Sequence, residues 1–143
     1  MMIDSDLLHL NKNDITELIM PIIKNEADAT ISLRKNSLLI YKLFGLDFFS
    51  GERVFDKKII EHLDELDKLP GFGLESYLNR ILIQKKMRLR VVKWKNVVTP
   101  RKSVKFGFWA GARGDVKMLF EIVSYLSFFG AIKMLFQMLR IKT

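Results

Sequence analysis

The chain begins Met1-Met2-Ile3-Asp4-Ser5-Asp6-Leu7-Leu8, and the reading of this stretch decides the fold that is expected. An apolar run of strand character breaks into two carboxylates one residue apart and then resumes. In a strand, residues i and i+2 share a face, so Asp4 and Asp6 are expected to point together at one ion. Hard carboxylate oxygens at this spacing suit Mg²⁺ or Mn²⁺, above all when a diphosphate supplies further oxygens. The plain alternative for any D-x-D is a solvated acidic turn. No basic stretch precedes the acids, so the segment does not read as a targeting signal. A half-buried strand at residue 1, without lead-in, gives the expectation that the chain starts within a domain.

Outward from this stretch, strand and helix patterns alternate. Asn11-Lys12-Asn13 opens a helix, with Asn13 as the expected N-cap and Asp14 and Glu17 in the first turn. Ile15, Leu18, Ile19, Ile22 and Ile23 fall on one helical face, and Pro21 is expected to kink or shorten it. Residues 27–33 alternate with period two, as a short strand does. Residues 37–44 read as a short helix ended by Gly45. Polar residues set between aromatic ones follow over 47–55. Residues 57–66 read as a helix, 69–73 as a loop, 74–86 as a helix and 87–94 as an alternating strand. A basic loop over 95–106 leads into a long helical region over 108–139, interrupted near Gly111, Gly114 and Gly130.

The 143 residues fit one domain with a real core, and 49% apolar content excludes a disordered chain. The absence of cysteine excludes disulfides and thiolate metal sites, and it fits a reducing compartment. The net charge of +8 is divided unevenly. Residues 1–79 hold 9 Lys/Arg against 14 Asp/Glu, a balance of −5, and residues 80–143 hold 15 against 2, a balance of +13. The first part has the character of a metal-and-substrate half, and the second seeks an anionic partner.

Asp4-Ser5-Asp6, Ser50-Gly51-Glu52-Arg53, Gly71-Phe72-Gly73-Leu74-Glu75 and the loop with Pro100-Arg101-Lys102 stand in an order and spacing that is itself informative. Together they resemble the C-terminal part of family-2 glycosyltransferases with the GT-A fold. The nearest flavour is the cell-wall and polyprenyl-phosphate sugar transferases and the glucosyl-phosphoglycerate synthase type. In that family a Rossmann-like half holding the nucleotide precedes the D-x-D motif, so the resemblance implies a truncated or split transferase.

The resemblance also implies roles. Asp4 and Asp6 are expected to hold the divalent ion that neutralises the sugar-nucleotide diphosphate. Glu75 matches the glutamate of the G-x-G-x-E motif and is the first candidate for the base that deprotonates the acceptor hydroxyl. Its structural alternative is a first-turn glutamate complementing a helix dipole. Glu52 is the rival base. Ser50, Gly51 and Gly73 are expected to lie against substrate, with glycine allowing close approach of the backbone. Arg53 is expected to grip phosphate, or to pair with Glu52 in an internal salt bridge.

Arg101, Lys102 and Lys105 are expected to grip a diphosphate or an anionic acceptor from the basic loop. Some relatives place a histidine metal ligand in that loop; here it carries none, and His9 and His62 have no assigned role. No nucleic-acid module or base-reading face is present, so nucleic acid is not an expected partner. Residues 118–136 are nearly long enough to span a bilayer, but Glu121 and Lys133 interrupt them. An interfacial helix amid Lys105, Arg113, Lys117, Arg140 and Lys142 is the expectation, with burial against another part of the protein or in a dimer as the alternative.

The fold class expected is therefore α/β: a partial GT-A, Rossmann-like sheet with flanking helices and a long C-terminal helical tail. Residues 1–106 would form the metal-and-acceptor part of the transferase domain, and residues 107–143 an amphipathic, basic tail. The expected activity is transfer of a sugar from a nucleotide-sugar to a lipid-linked or phosphorylated acceptor. It would be metal-dependent, inverting and cytoplasmic, at the inner face of the membrane. The alternative is an inactive binding or assembly module, or half of a split enzyme. Either way, a missing sheet neighbour predicts association with a partner chain or a second copy.

Overall fold

A computed structural model describes residues 1–60, 73–100 and 128–143. Among the described residues, four α-helices and three strands run in the order α1 (Lys12–Ile23), β1 (Ala29–Arg34), α2 (Leu39–Phe44), β2 (Arg53–Phe55), α3 (Gly73–Gln84), β3 (Leu89–Trp94) and α4 (Phe128–Ile141). The strands form one mixed sheet in the order β2-β1-β3, with β1 antiparallel to β2 and parallel to β3. The protein is thus mixed α/β, with a small sheet and flanking helices.

β1 is central because its residues can be buried on both faces. Ala29, Ile31 and Leu33 join a cluster with Tyr41, Phe48, Phe49, Leu78 and Leu82. On the opposite face Thr30 and Ser32 are buried, and Thr30 Oγ1 donates to Leu18 O at 2.7 Å. Leu18 itself belongs to a second cluster with Val54, Trp94 and Val97.

The start of α1 differs by one turn element from the expectation. Asn11, not Asn13, is the N-cap: its Oδ1 accepts from Asn13 N and Asp14 N, and Asp14 Oδ2 accepts from Asn11 N at 3.0 Å. Two asparagines compete for the cap, and only the first has an acid three residues on to close a capping box. Pro21 sits in the last turn, buried, and its carbonyl accepts from Glu26 N and Ala27 N as the helix ends. α2 ends as expected at Gly45, which is left-handed with φ 62°.

The opening stretch is not a strand. Met2 forms an isolated bridge with Arg53 and Leu8 another with Val98, and a turn lies between them. The chain therefore crosses from the outer side of β2 to the segment after β3, past the C-terminal end of β1. Pairing at two points on opposite sides of the sheet leaves no continuous ladder for the residues between.

The segment after β2 opens with a 3-10 turn over Lys57–Ile59, capped by Asp56; the remainder of the helix expected over 57–66 falls largely outside the described residues. Of the long C-terminal region, α4 packs against α3, and its Met134, Leu135 and Met138 enter the larger core cluster. The described part of the tail is thus joined to the core of the same chain. Among the described residues, no helix is long and apolar enough to cross a membrane.

Candidate functional site

The polar residues of β1 run Thr30, Ser32, Arg34 along one face, and Arg34 emerges at the strand's C-terminal end. There it meets three carboxylates. Arg34 Nη1 lies 3.1 Å from Glu52 Oε1 and 3.6 Å from Asp4 Oδ2, while Nη2 lies 3.7 Å from Asp47 Oδ2. Three acids around one guanidinium leave an excess of negative charge at the sheet end.

Glu52 is fully buried and fully bonded. Its Oε2 accepts from Ser32 Oγ and Ser50 Oγ, each at 2.5 Å, and its Oε1 accepts from Arg34. A carboxylate sealed in this way has no free lone pair facing solvent to take a proton from an acceptor hydroxyl. Glu52, the rival base expected from the motif, is thus held by Ser32, Ser50 and Arg34 in the interior.

Asp4 is the accessible member, with 45% of its side chain exposed. Gly51 makes its position possible: a Cβ there would stand 2.9 Å from Asp4 Cγ. Burial of its inner half and the adjoining Glu52 carboxylate push Asp4 up to about 6, against the pull of Arg34, with Asp6 adding a little. Burial likewise raises Asp47, against Arg34 and a hydrogen bond from Ser37 Oγ.

Arg53 does not face a ligand. It is 1% exposed, and its Nε donates to Ser50 O, Nη1 to Asn79 Oδ1 and Nη2 to Phe48 O, at 2.6–2.7 Å. Of the two roles expected of Arg53, a grip on phosphate or an ion pair with Glu52, the ion pair to Glu52 is made by Arg34, and the three bonds of Arg53 named above all stay within the protein. Burial pulls Arg53 down to about 10, with the charges of Glu75, Asp47 and Glu52 pushing back in that order. It remains protonated at neutral pH.

That order of influence places Glu75 in the same field. Gly73 and Glu75 lie in the first turn of α3, Gly73 buried. Glu75 Oε2 and Ser76 Oγ are buried and have no hydrogen-bond partner among the described residues. Glu75 Oε2 is thus out of contact with solvent, as the Glu52 carboxylate is, but among the described residues it lacks the hydrogen bonds that lock Glu52. Asp4 and Glu52 meet Arg34, while Ser50 and the charge of Glu75 act on Arg53, so residues of three separated motifs gather at two largely buried arginines.

The segment after β3 is tied to the same place. Asn36 Nδ2 donates to Thr99 O at 2.7 Å, Thr99 N donates to Asn36 Oδ1 at 3.2 Å, and Arg34 Nη1 donates to Thr99 Oγ1 at 2.5 Å. The basic loop therefore leaves from the acid cluster. Arg101, Lys102 and Lys105 lie outside the described residues, as does His62; His9 is exposed with a left-handed backbone, φ 62°.

Among the described residues no three acids or histidines are grouped to hold a metal. Asp4 and Asp6, expected to share a strand face, are instead separated by the turn over residues 5–6, and Asp6 reaches Asp4 only as the smallest of the charges acting on it. Sequence reasoning missed Arg34, Asp47, Asn36 and Asn79. The signal for Arg34 was present in the polar alternation Thr30, Ser32, Arg34 on an otherwise apolar strand. A groove lined by Ile83, Met87, Arg88, Gln137 and Arg140 shares no residue with the cluster. Comparison with protein-family models, curated proteins and solved structures finds no match.

Proposed function

We propose that this chain is a glycosyltransferase of the GT-A type, or a part of one. It would transfer a sugar with inversion from a nucleotide-sugar to a lipid-linked or phosphorylated acceptor at the cytoplasmic face of a membrane. The observation that carries the reading is the seating of Asp4 against Gly51 and Glu52, which joins two motifs far apart in sequence into one anionic site. Arg53 draws the third motif, with Glu75, into the same field.

In this reading Asp4 and Asp6 would hold Mg²⁺ or Mn²⁺. A divalent ion there supplies neutralisation of the charge growing on the leaving diphosphate. Glu52, locked by Ser32 and Ser50, sets the height of the Asp4 carboxylate through mutual repulsion. Glu75, the glutamate of the third motif, would take the proton of the acceptor hydroxyl. Arg101, Lys102 and Lys105 follow Thr99 and add cations for the donor's phosphates.

Isothermal titration of the chain with UDP and GDP, with and without Mn²⁺, tests this beside Asp4→Asn. Binding that requires the metal and is lost in the variant is the expected result. Absence of nucleotide binding, or equal binding by Asp4→Asn, overturns it.

A second reading, as an assembly module or half of a split enzyme, draws on the outer edge of β3. Among the described residues that edge has backbone partners at Leu89, from Lys142 and Thr143, and none through Trp94. An open edge invites a partner strand. A clean monomer by light scattering counts against that reading.

A further inference from the structure

Residues 35–46 leave the acid cluster and return to it. Ser37 Oγ donates to Asp47 Oδ2 at 2.9 Å and closes the base of this excursion. Inside it, Tyr41 and Leu46 are buried and fix α2 to the core. The opposite side of α2 is exposed: Leu39 and Leu43 are each 83% exposed, more than any other aliphatic side chain among the described residues, and Ile40 is 53% exposed. Leu39 and Leu43 are one turn apart and Ile40 adjoins Leu43, so the three make one apolar face.

Among the described residues, the charges carried by this excursion are of one sign. Between Arg34 and Asp47 the sequence holds Lys35 and Lys42 and no acid, and both lysines are exposed. Lys142 Nζ joins them at the C-terminal end of α2, where it donates to Phe44 O at 3.2 Å and Gly45 O at 3.1 Å.

We propose that α2 is a lipid-inserting wedge that docks this chain on an anionic bilayer. Leu39, Ile40 and Leu43 enter the headgroup–acyl boundary, and Lys35 and Lys42 meet the lipid phosphates. Charge complementarity selects this occupant: a leucine tip with a lysine rim and no acid matches an anionic interface. A second copy, meeting the same face by two-fold symmetry, would set Lys42 near its own counterpart. The pinned base of the excursion then holds the acid cluster beside the lipid surface. That the wedge delivers a lipid-linked acceptor rests on the transferase reading; its affinity for a bilayer does not.

The test uses the full chain and large unilamellar vesicles of phosphatidylcholine, with or without phosphatidylglycerol. Cosedimentation with the anionic vesicles is expected, with weak binding to the zwitterionic ones. The double variant Leu39→Asp/Leu43→Asp is expected to bind roughly a hundred-fold more weakly, since each leucine loses about a tenfold or greater partition. Thermal unfolding of that variant should match the parent, because both side chains are already in water. A single environment-sensitive dye on Leu43→Cys, in a chain with no other cysteine, reads insertion without touching stability. A blue shift on adding anionic vesicles is expected.

No vesicle binding by the parent chain, equal binding by the double variant, or an unshifted dye overturns the proposal. So does concentration-dependent self-association that the double variant abolishes, which would name a second copy as the occupant. Nucleotide titration in solution reads the transferase site separately, so either idea can fail alone.

Discussion

A side-chain carbon on Gly51 would stand 2.9 Å from Asp4 Cγ, so the glycine of one motif is the floor under the first acid of the other. Gly51→Ala should therefore move Asp4 rather than simply fill space. The atoms in the way all belong to the half-exposed Asp4 carboxyl group, which can turn aside at little cost in stability. The expected outcome is a urea midpoint close to the parent's together with loss of Mn²⁺-dependent nucleotide binding. A variant that binds as the parent does would separate Gly51 from the site.

Arg34 is the common partner of Asp4, Asp47 and Glu52. Arg34→Met leaves Glu52, fully buried, without its cation. Breaking one side of such a buried pair costs about 3–5 kcal/mol. Denaturant unfolding at neutral pH should show a loss of that order, and the loss should shrink as acid neutralises the stranded carboxylates.

The pH dependence of stability follows from Asp4. Its folded value is raised from 3.8 to about 6, so the folded state binds a proton more tightly than the unfolded state. Stability from this group is fully present below pH 3.8 and falls as pH rises through about 6. Partial exposure of Asp4 screens the effect to about 1 kcal/mol. Unfolding midpoints measured below pH 3.8 and above pH 6 should differ accordingly, and Asp4→Asn should flatten the difference. A divalent cation, favouring the ionised form, should offset the loss above pH 6.

Arg53 supplies a contrasting case. Its three hydrogen bonds reach Ser50 O, Phe48 O and Asn79 Oδ1, all inside the protein. Lysine cannot reproduce the guanidinium fork, so Arg53→Lys should cost about 2–4 kcal/mol of stability. Under conditions where the variant is folded, its nucleotide affinity should equal the parent's. A selective loss of binding would return Arg53 to the ligand.

The elements written into local pattern were legible in the sequence. The alternation over 27–33 became β1, Gly45 closed α2 with a left-handed cap, and the helix near 74–86 and strand near 87–94 appear as α3 and β3. What escaped was set by pairing at a distance. Met2 and Leu8 find partners on opposite sides of the sheet, so an apparently strand-like opening became a crossing with a turn. Adjacent Glu52 and Arg53 read as an ion pair, yet neighbouring residues of a strand face opposite ways, and Glu52 took a cation from β1 instead. The candidate site was legible as a set of residues, whereas the division between those that face a ligand and those that brace the fold depended on burial.

Asn36 and Thr99 clasp each other through both a donor and an acceptor, while Arg34 holds the same threonine's hydroxyl. One residue added or deleted between Trp94 and Thr99 would put a different side chain in that clasp and swing the departure point of the basic loop away from the acids. The spacing of this connection is thus dictated by chemistry, and homologous proteins that use the same clasp should vary there in residue type but not in length.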